Sequence, residues 1–133
     1  MMVLALYRED PSGQKMPLRK IRRTIAELSA HPDKGAITII HIGNAIAGYG
    51  IVIYYWSNEY GGTIAHIDEL YVRPSWRNRR IGSSYLEHIA KTKGMKLKGI
   101  QVETTPANQK ALAFYSRRGF KQVENHHMFR ELP

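Results

Sequence analysis

The sequence contains no cysteine among its 133 residues. This absence excludes a disulfide framework, a thiolate zinc site and a cysteine nucleophile. The sequence also lacks an apolar run long enough to span a membrane, and the apolar start "MMVLALYRED" is too short for a signal peptide. A reducing compartment is compatible with a chain free of cysteine. We therefore expect a soluble, cytoplasmic protein that does not contact membranes.

The chain has no internal repeat, low-complexity tract or linker, so we expect residues 1–133 to form a single domain. Its hydrophobic fraction of 43% is typical of a globular fold. Twenty Lys and Arg residues against eleven Asp and Glu give a formal net charge of +9. Such a surface attracts nucleic acid, acidic membranes or a phosphorylated cofactor. Composition does not choose among these partners.

The first part of the chain predicts helices. The segment "MVLALYRE" is short and apolar, as at the end of a helix, and "DPSG" interrupts it. Apolar residues then recur at three- and four-residue spacing from Pro17 onward, which predicts an amphipathic helix that ends before Pro32. These apolar positions are Leu18, Ile21, Ile25 and Leu28.

The middle of the chain changes to the composition of β-strands. The segments "AITIIHI", "AIAGYGIVIYYW" and "TIAHIDELYV" are rich in Ile, Val, Thr and Tyr. Turn signals at Gly43-Asn44 and at residues 58–62 separate them, and Pro74 closes the third. These features predict a three-stranded antiparallel meander.

The last part alternates helices and strands. Helical spacing in "RRIGSSYLEHIAKTKG" predicts a helix with Gly94 as its C-cap, and "LKGIQVET" follows as a strand. A second helix, "PANQKALAFYSRRG", ends before Gly119, and we expect "FKQVE" and "HHMFREL" to form one or two further strands. The strand–helix–strand unit requires a right-handed crossover, with a parallel pairing if its strands are neighbours.

A basic junction, residues 77–84 ("RNRRIGSS"), joins the third strand to the next helix. The first N–H groups of a helix have no partner within it, and Gly82, Ser83 and Ser84 leave room for a phosphate to approach them. Three arginines add positive charge: Arg77, Arg79 and Arg80. The junction is either an anion cradle or a solvated basic turn. It contains neither G-x-x-x-x-G-K-[ST] nor G-x-G-x-x-G, which excludes the Walker loop and the dinucleotide fingerprint.

Two segments resemble the GNAT superfamily of N-acetyltransferases. "NQKALAFYSRRGF" resembles the closing segment of these enzymes, and "LYVRPSWRNRRIGSSYL" resembles their acetyl-CoA segment, a Gln/Arg-x-x-Gly-x-Gly/Ala pattern after a strand. Arg77 matches the first position and Gly82 the last, whereas Arg80 replaces the usual first glycine. The resemblance covers roughly residues 36–132.

The resemblance implies an α+β (mixed α/β) fold with a central, mostly antiparallel sheet and helices on both faces. Members of the superfamily usually begin with a strand, which is missing before the first helix of this sequence. An unpaired sheet edge would result, and because a partner can cover such an edge, we expect a homodimer.

The resemblance further implies acetyl-CoA as co-substrate and no metal. Backbone amides of residues 79–84 would hold the pyrophosphate, the strand at residues 70–72 would pair with the pantetheine arm, and Asn108 would bind that arm. The residues implied to bind acetyl-CoA are Leu70, Tyr71, Val72, Arg77, Arg79, Arg80, Ile81, Gly82, Ser83, Ser84, Asn108 and Tyr115. For each arginine, ordinary solvation of a surface side chain is the alternative.

Transfer to an amine needs a base for the amine proton and an acid for the leaving thiolate. By resemblance Tyr115 is the acid; the alternative is a core aromatic on an apolar helix face. Glu69 is the first choice as base, directly or through water, and Asp68 would bind a substrate cation. The alternative for both carboxylates is a salt bridge to an arginine. We expect Tyr54 and Tyr55 to line the acceptor pocket, although one side of that strand must face the core.

Three functions follow from these residues. The leading one is acetyl-CoA-dependent transfer to a primary amine of a small molecule or peptide, in a ternary complex. The acidic pair in "IDELYV" resembles the diamine and polyamine acetyltransferase branch. A catalytically silent acyl-CoA-binding protein is the second. A basic nucleic-acid-binding module is the third, although no recognised nucleic-acid motif accompanies the charge and nucleic acid is not the expected partner.

Overall fold

The computed structural model describes residues 1–11, 13–92 and 94–133. The helices are α1 (Met2–Glu9), α2 (Leu18–Ala30), α3 (Ile81–Ala90) and α4 (Gln109–Ser116), with a 3-10 turn at Pro74–Trp76. The strands are β1 (Gly35–Ile42), β2 (Ala45–Ser57), β3 (Gly62–Val72) and β4 (Leu97–Val102). Backbone contacts divide the chain into two compact units, Met1–Glu103 and Thr104–Pro133. The single domain stays a prediction.

The first unit contains one four-stranded sheet in the order β1-β2-β3-β4. β1 pairs antiparallel with β2 and β2 antiparallel with β3, which confirms the predicted meander. β3 and β4 are neighbours and pair in parallel, as the crossover through α3 requires. β1 lies at an edge of the sheet, and the described residues that precede it form helices and connecting turns, without a strand.

Helices cover both faces of the sheet, as expected. On one face Leu28 of α2 packs with Tyr49, Ile51 and Tyr71, and apolar residues of α1 pack against this cluster. On the other face Tyr85 of α3 lies directly over Gly50, since successive residues of a strand point to opposite faces. A Cβ built at Gly50 would lie 2.2 Å from Cζ of Tyr85. The missing side chain of Gly50 therefore makes room for the Tyr85 ring.

Two predicted boundaries are wrong. α3 ends at Ala90, because Thr92 N donates to Ile89 O, a tighter bond that closes the last turn; Gly94 (φ +86°) lies beyond the helix and is not its cap. The strands predicted after Gly119 are absent from the described residues, and residues 121–133 are exposed without regular structure. A strand requires a neighbour to satisfy its backbone groups, and none of the strands that the structure describes is paired with this segment.

Within the part of the chain that the structure describes, no helix combines the length and apolar character that a membrane span would need.

Candidate active site

The edge of β3 that faces β4 is paired only in its first half. The parallel ladder runs from Thr63, opposite Leu97, to Ile67, opposite Val102. Residues 69–72 continue β3 and are paired with β2, yet no described strand pairs with them on the other side. Among the described residues, the backbone of Leu70, Tyr71 and Val72 therefore has no strand partner on the side where β4 has ended. An extended ligand with amide groups can hydrogen bond to such an edge.

A β-bulge interrupts β3 just after its pairing with β4 ends. Ile51 lies opposite Glu69 and the next residue, Val52, lies opposite Ile67, so Asp68 is an extra residue in β3. Bulges of this kind redirect the side chains beside them. Asp68 is exposed, whereas Glu69 is only 8% exposed. The two acids therefore occupy different environments, as expected for an adjacent pair on a strand.

Glu69 is held by two tyrosines. Tyr7 Oη of α1 donates a hydrogen bond to Oε1 at 2.9 Å, and Tyr49 Oη of β2 donates to Oε2 at 2.7 Å. Burial, followed by the hydrogen bond to the Glu69 carboxylate, raises the pKa of both tyrosines well above the ordinary value, so both remain protonated donors. The salt bridge to an arginine, the alternative for Glu69, is replaced by these two hydroxyl groups.

Arg77 forms hydrogen bonds to other groups of the chain. Its Nη2 donates to Oε2 of Glu9 at 2.7 Å, and its Nε donates to the Val72 carbonyl oxygen at 2.9 Å. The guanidinium carbon also lies 5.7 Å from the ring centroid of Tyr71. Arg77 thus connects the end of β3 to the last turn of α1. Its predicted contact with a phosphate stays a prediction.

Two residues of the basic junction, Asn78 and Arg80, have the left-handed backbone conformation, each with φ +61°. Glycine adopts this conformation without strain, which explains why the resembling pattern has glycine at the position of Arg80. The Arg80 side chain is exposed, so it does not turn inward across the cradle. The Arg79 guanidinium lies 4.9 Å from the ring centroid of Trp76.

Helix α3 begins directly after Arg80. The first bond within it runs from Ser84 N to Arg80 O at 2.9 Å, and Ser84 Oγ also donates to Arg80 O, at 3.1 Å. The N–H groups of Ile81 and Gly82 consequently have no partner within the helix, and no side chain of the described residues caps it. These groups, the positive end of the helix dipole and the neighbouring arginines fit a pyrophosphate.

The second unit holds the remaining candidates, Asn108 and Tyr115. Asn108 is the N-cap of α4, and its Oδ1 accepts a hydrogen bond from Ala111 N at 3.1 Å. Tyr115 is buried, and its ring packs edge-on against Phe114 and Phe120, with centroids 5.0 and 5.2 Å apart. Burial raises the pKa of Tyr115 to about 12. Arg118 donates to the Phe114 carbonyl oxygen at 2.8 Å and covers the Phe114 ring.

The two predicted acceptor tyrosines lie elsewhere in the sheet. Tyr54 is opposite Ala65 and Tyr55 is opposite Ile64, where β3 is still paired with β4. Ala65 precedes Leu70 by five residues, about 16 Å along a strand. Tyr55 Oη donates a hydrogen bond to Oε1 of Gln101. The structure does not bring these tyrosines together with the edge of β3 at residues 70–72.

Sequence reasoning missed the tyrosines that surround Glu69. Tyr49 and Tyr71 face each other across the β2–β3 ladder, with ring centroids 6.2 Å apart. In the sequence, Tyr49 and Tyr71 alternate with Gly48, Gly50 and Leu70, which indicates that each tyrosine points to one face of the sheet. The β2–β3 register is needed to show that Glu69 points to the same face as both. Tyr7 gave no such signal, because it lies 62 residues before Glu69.

No group of three or more His, Asp or Glu side chains is arranged to hold a metal ion in residues 1–11, 13–92 and 94–133.

Residues 2–120 match the family model of the GNAT acetyltransferases. The chain therefore belongs to the GNAT acetyltransferase family. Members of this family carry out acetyl transfer, generally from acetyl-CoA.

Solved structures share the fold. An integron cassette protein from the mobile metagenome of Cole Harbour Salt Marsh is 26% identical, with a TM-score of 0.77, over 99% of this chain and 81% of that chain. A possible acetyltransferase from Clostridium difficile 630 is 18% identical, with a TM-score of 0.78, over 97% and 86%. Glucosamine-6-phosphate N-acetyltransferase from Arabidopsis thaliana is 18% identical, with a TM-score of 0.61, over 90% and 81%.

Proposed function

We propose that the chain is an acetyl-CoA-dependent N-acetyltransferase that transfers the acetyl group to a primary amine directly, in a ternary complex. Three features that follow one another in a single stretch of chain support the proposal. The bulge at Asp68, the unpaired edge of residues 70–72 and the basic junction follow one another within seventeen residues, 68–84. Together they offer an acid–base group, an edge for an amide-containing arm and an anion site.

The residues of this stretch fit acetyl-CoA. The backbone N–H groups of Ile81 and Gly82 would hold the pyrophosphate, and the exposed arginines Arg79 and Arg80 would add charge. Backbone groups of residues 70–72 would pair with the pantetheine arm. The bound thioester would supply the electrophilic carbonyl carbon, and these backbone groups would orient it.

Glu69 is proposed as the base. An amine is protonated at neutral pH, and a carboxylate held by two hydroxyl donors is available to accept its proton directly or through one water. The exposed Asp68 would attract the cationic amine. Because both groups are acidic, diamines and polyamines are the acceptors to test first.

Tyr115 is proposed as the acid for the leaving sulfur. Its pKa of about 12 keeps the hydroxyl protonated through the physiological range, as a proton donor to a thiolate must be. Asn108 is proposed to bind the pantetheine arm. We also propose that the protein is a cytoplasmic homodimer, in which a partner covers the edge of the sheet formed by β1.

A coenzyme A release assay tests the function. Acetyl-CoA would be combined in turn with spermidine, lysine, kanamycin and a lysine-containing peptide, while isothermal titration measures acetyl-CoA binding. We expect binding below millimolar concentration and release that depends on the amine. Failure to bind at millimolar acetyl-CoA would contradict the proposal. Binding without turnover on any amine would instead identify a silent acyl-CoA-binding protein.

A further inference from the structure

Helix α1 reaches the candidate base through one side chain, Tyr7. Its hydroxyl donates to Oε1 of Glu69, while Tyr49 donates to Oε2, so each carboxylate oxygen has its own donor. Hydrogen bonds to the ionised form stabilise it and also fix its orientation. Removing either donor would leave one oxygen of a buried carboxylate without its partner.

The two donors differ in how firmly the fold holds them. Tyr49 is 3% exposed and lies in the centre of β2, paired on both sides. Tyr7 is half-buried on an eight-residue helix that has no fully buried residue. Helix α1 depends on apolar contacts of Val3 and Leu6 with the sheet and on the ion pair between Glu9 and Arg77. Tyr7 is therefore the donor whose position is adjustable.

We propose that Tyr7 is a positioning residue for Glu69, so that α1 fixes the orientation of the candidate base. This inference rests on the proposed function, in which Glu69 receives the proton of the amine. A base held by both oxygens presents one orientation to the amine, and a base held by only one samples several. Loss of Tyr7 Oη lowers turnover and leaves the binding of acetyl-CoA, at the basic junction, unchanged.

The test compares Tyr7→Phe with the parent chain, using the amine of the panel that is acetylated fastest. We expect kcat to fall about tenfold while KM for acetyl-CoA stays within about twofold. In the chain without any ligand, we expect the amides of residues 2–9 to exchange with deuterium roughly fivefold faster, since one anchor of α1 is lost. Tyr60→Phe, at an exposed turn residue, is the matched control and should change neither quantity.

Combination with Glu69→Gln separates positioning from general stability. Tyr7 acts through Glu69, so Tyr7→Phe should lower kcat no further when Glu69→Gln is already present. An undiminished kcat in Tyr7→Phe, beside a large loss in Glu69→Gln, would overturn this inference and leave the proposed function intact. A rise in KM for acetyl-CoA with unchanged kcat, or a Tyr7→Phe chain that does not fold, would also overturn it. Full turnover in Glu69→Gln, or no acetylated amine in the panel, would reject the proposed function itself and this inference with it.

Discussion

Arg77 and Glu9 form an ion pair, Nη2 to Oε2 at 2.7 Å, between residues 68 positions apart in the sequence. The same guanidinium donates to the carbonyl oxygen of Val72, where β3 ends. The pair therefore connects α1 to the entrance of the basic junction. Both side chains are about two-fifths exposed, so the pair contributes at most roughly 1 kcal/mol to stability. Its larger effect concerns which anion the arginine binds.

Glu9→Gln is expected to strengthen coenzyme A binding. The Glu9 carboxylate competes with a ligand phosphate for Arg77, and a neutral amide competes less. We expect the dissociation constant to fall about two- to fivefold at low ionic strength, measured by titration calorimetry, and the difference to shrink as salt is added.

Glu27→Gln is the control for net charge, because Glu27 is an exposed carboxylate on α2, paired with Lys34. It removes the same charge without releasing Arg77. Weaker binding in Glu9→Gln, or an equal gain in Glu27→Gln, would show that Arg77 does not exchange its partner for a phosphate.

Arg80→Gly is expected to fold with a stability within about 1 kcal/mol of the parent chain. Arg80 has φ +61°, where a residue with a Cβ is strained by roughly 1 kcal/mol. Glycine removes that strain, and its extra freedom in the unfolded chain offsets part of the gain. Arg80→Val, with a branched Cβ, should lose about 1–2 kcal/mol in urea unfolding.

Arg80→Lys is the control for these variants, since it keeps the charge and an unbranched Cβ. A valine variant as stable as the lysine variant would mean that the junction adopts a different backbone. Retained coenzyme A binding in Arg80→Gly would support the role of the backbone N–H groups over the side chain.

Most of the fold was predictable from the sequence because periodicity reports local structure. The helix at residues 18–30 and the three meander strands follow from spacing and turn residues alone. The end of α3 depends on a tightened turn at Thr92. Whether residues 120–133 form strands depends on the presence of a strand that can pair with them. Spacing within a segment carries neither piece of information.

The candidate site was predictable in part, for a similar reason. Its position after β3 follows from the motif, whereas the left-handed backbone at Arg80, which explains the usual glycine there, is known only from the structure. One partner of Glu69, Tyr7, and one partner of Arg77, Glu9, lie in α1, more than sixty residues away in the sequence. Tyr54 and Tyr55 are predicted to line the acceptor pocket because they lie on the strand before the acidic pair, but the β2–β3 register places them opposite Ala65 and Ile64.

Gly50→Ala is expected to destabilise the protein. An added Cβ would lie 2.2 Å from Cζ and 2.4 Å from Oη of Tyr85, so the buried ring must move. We expect a loss of about 1–3 kcal/mol in the free energy of unfolding, measured with urea. The cause is overpacking between the sheet and α3.

Gly99→Ala is the matched control within a strand, because the nearest atom to its added Cβ is 3.6 Å away, an ordinary contact. It should change stability by less than about 1 kcal/mol. Equal losses in the two variants would attribute the effect to replacing a strand glycine in general, and not to Tyr85.

The protein is expected to lose stability as the solution becomes alkaline, because the buried Tyr115 resists ionisation. Its pKa is about 12 in the folded chain and about 10 when unfolded, because burial disfavours the phenolate. Between pH 10 and pH 12 the unfolded chain therefore releases a proton that the folded chain retains. The free energy of unfolding falls as pH rises, with a slope of up to about 1.4 kcal/mol per pH unit from this residue. Tyr7 and Tyr49 act in the same direction.

Tyr115→Phe should make this alkaline loss of stability shallower, as measured by urea unfolding at pH 9, 10 and 11. Tyr60→Phe, at an exposed position, should leave the slope unchanged. A Tyr115→Phe chain with the slope of the parent would mean that the Tyr115 hydroxyl reaches solvent and ionises as readily in the folded chain as in the unfolded one. Such a tyrosine would be half ionised near pH 10. The proposed acid would then lose its proton about two pH units below the value that its burial implies.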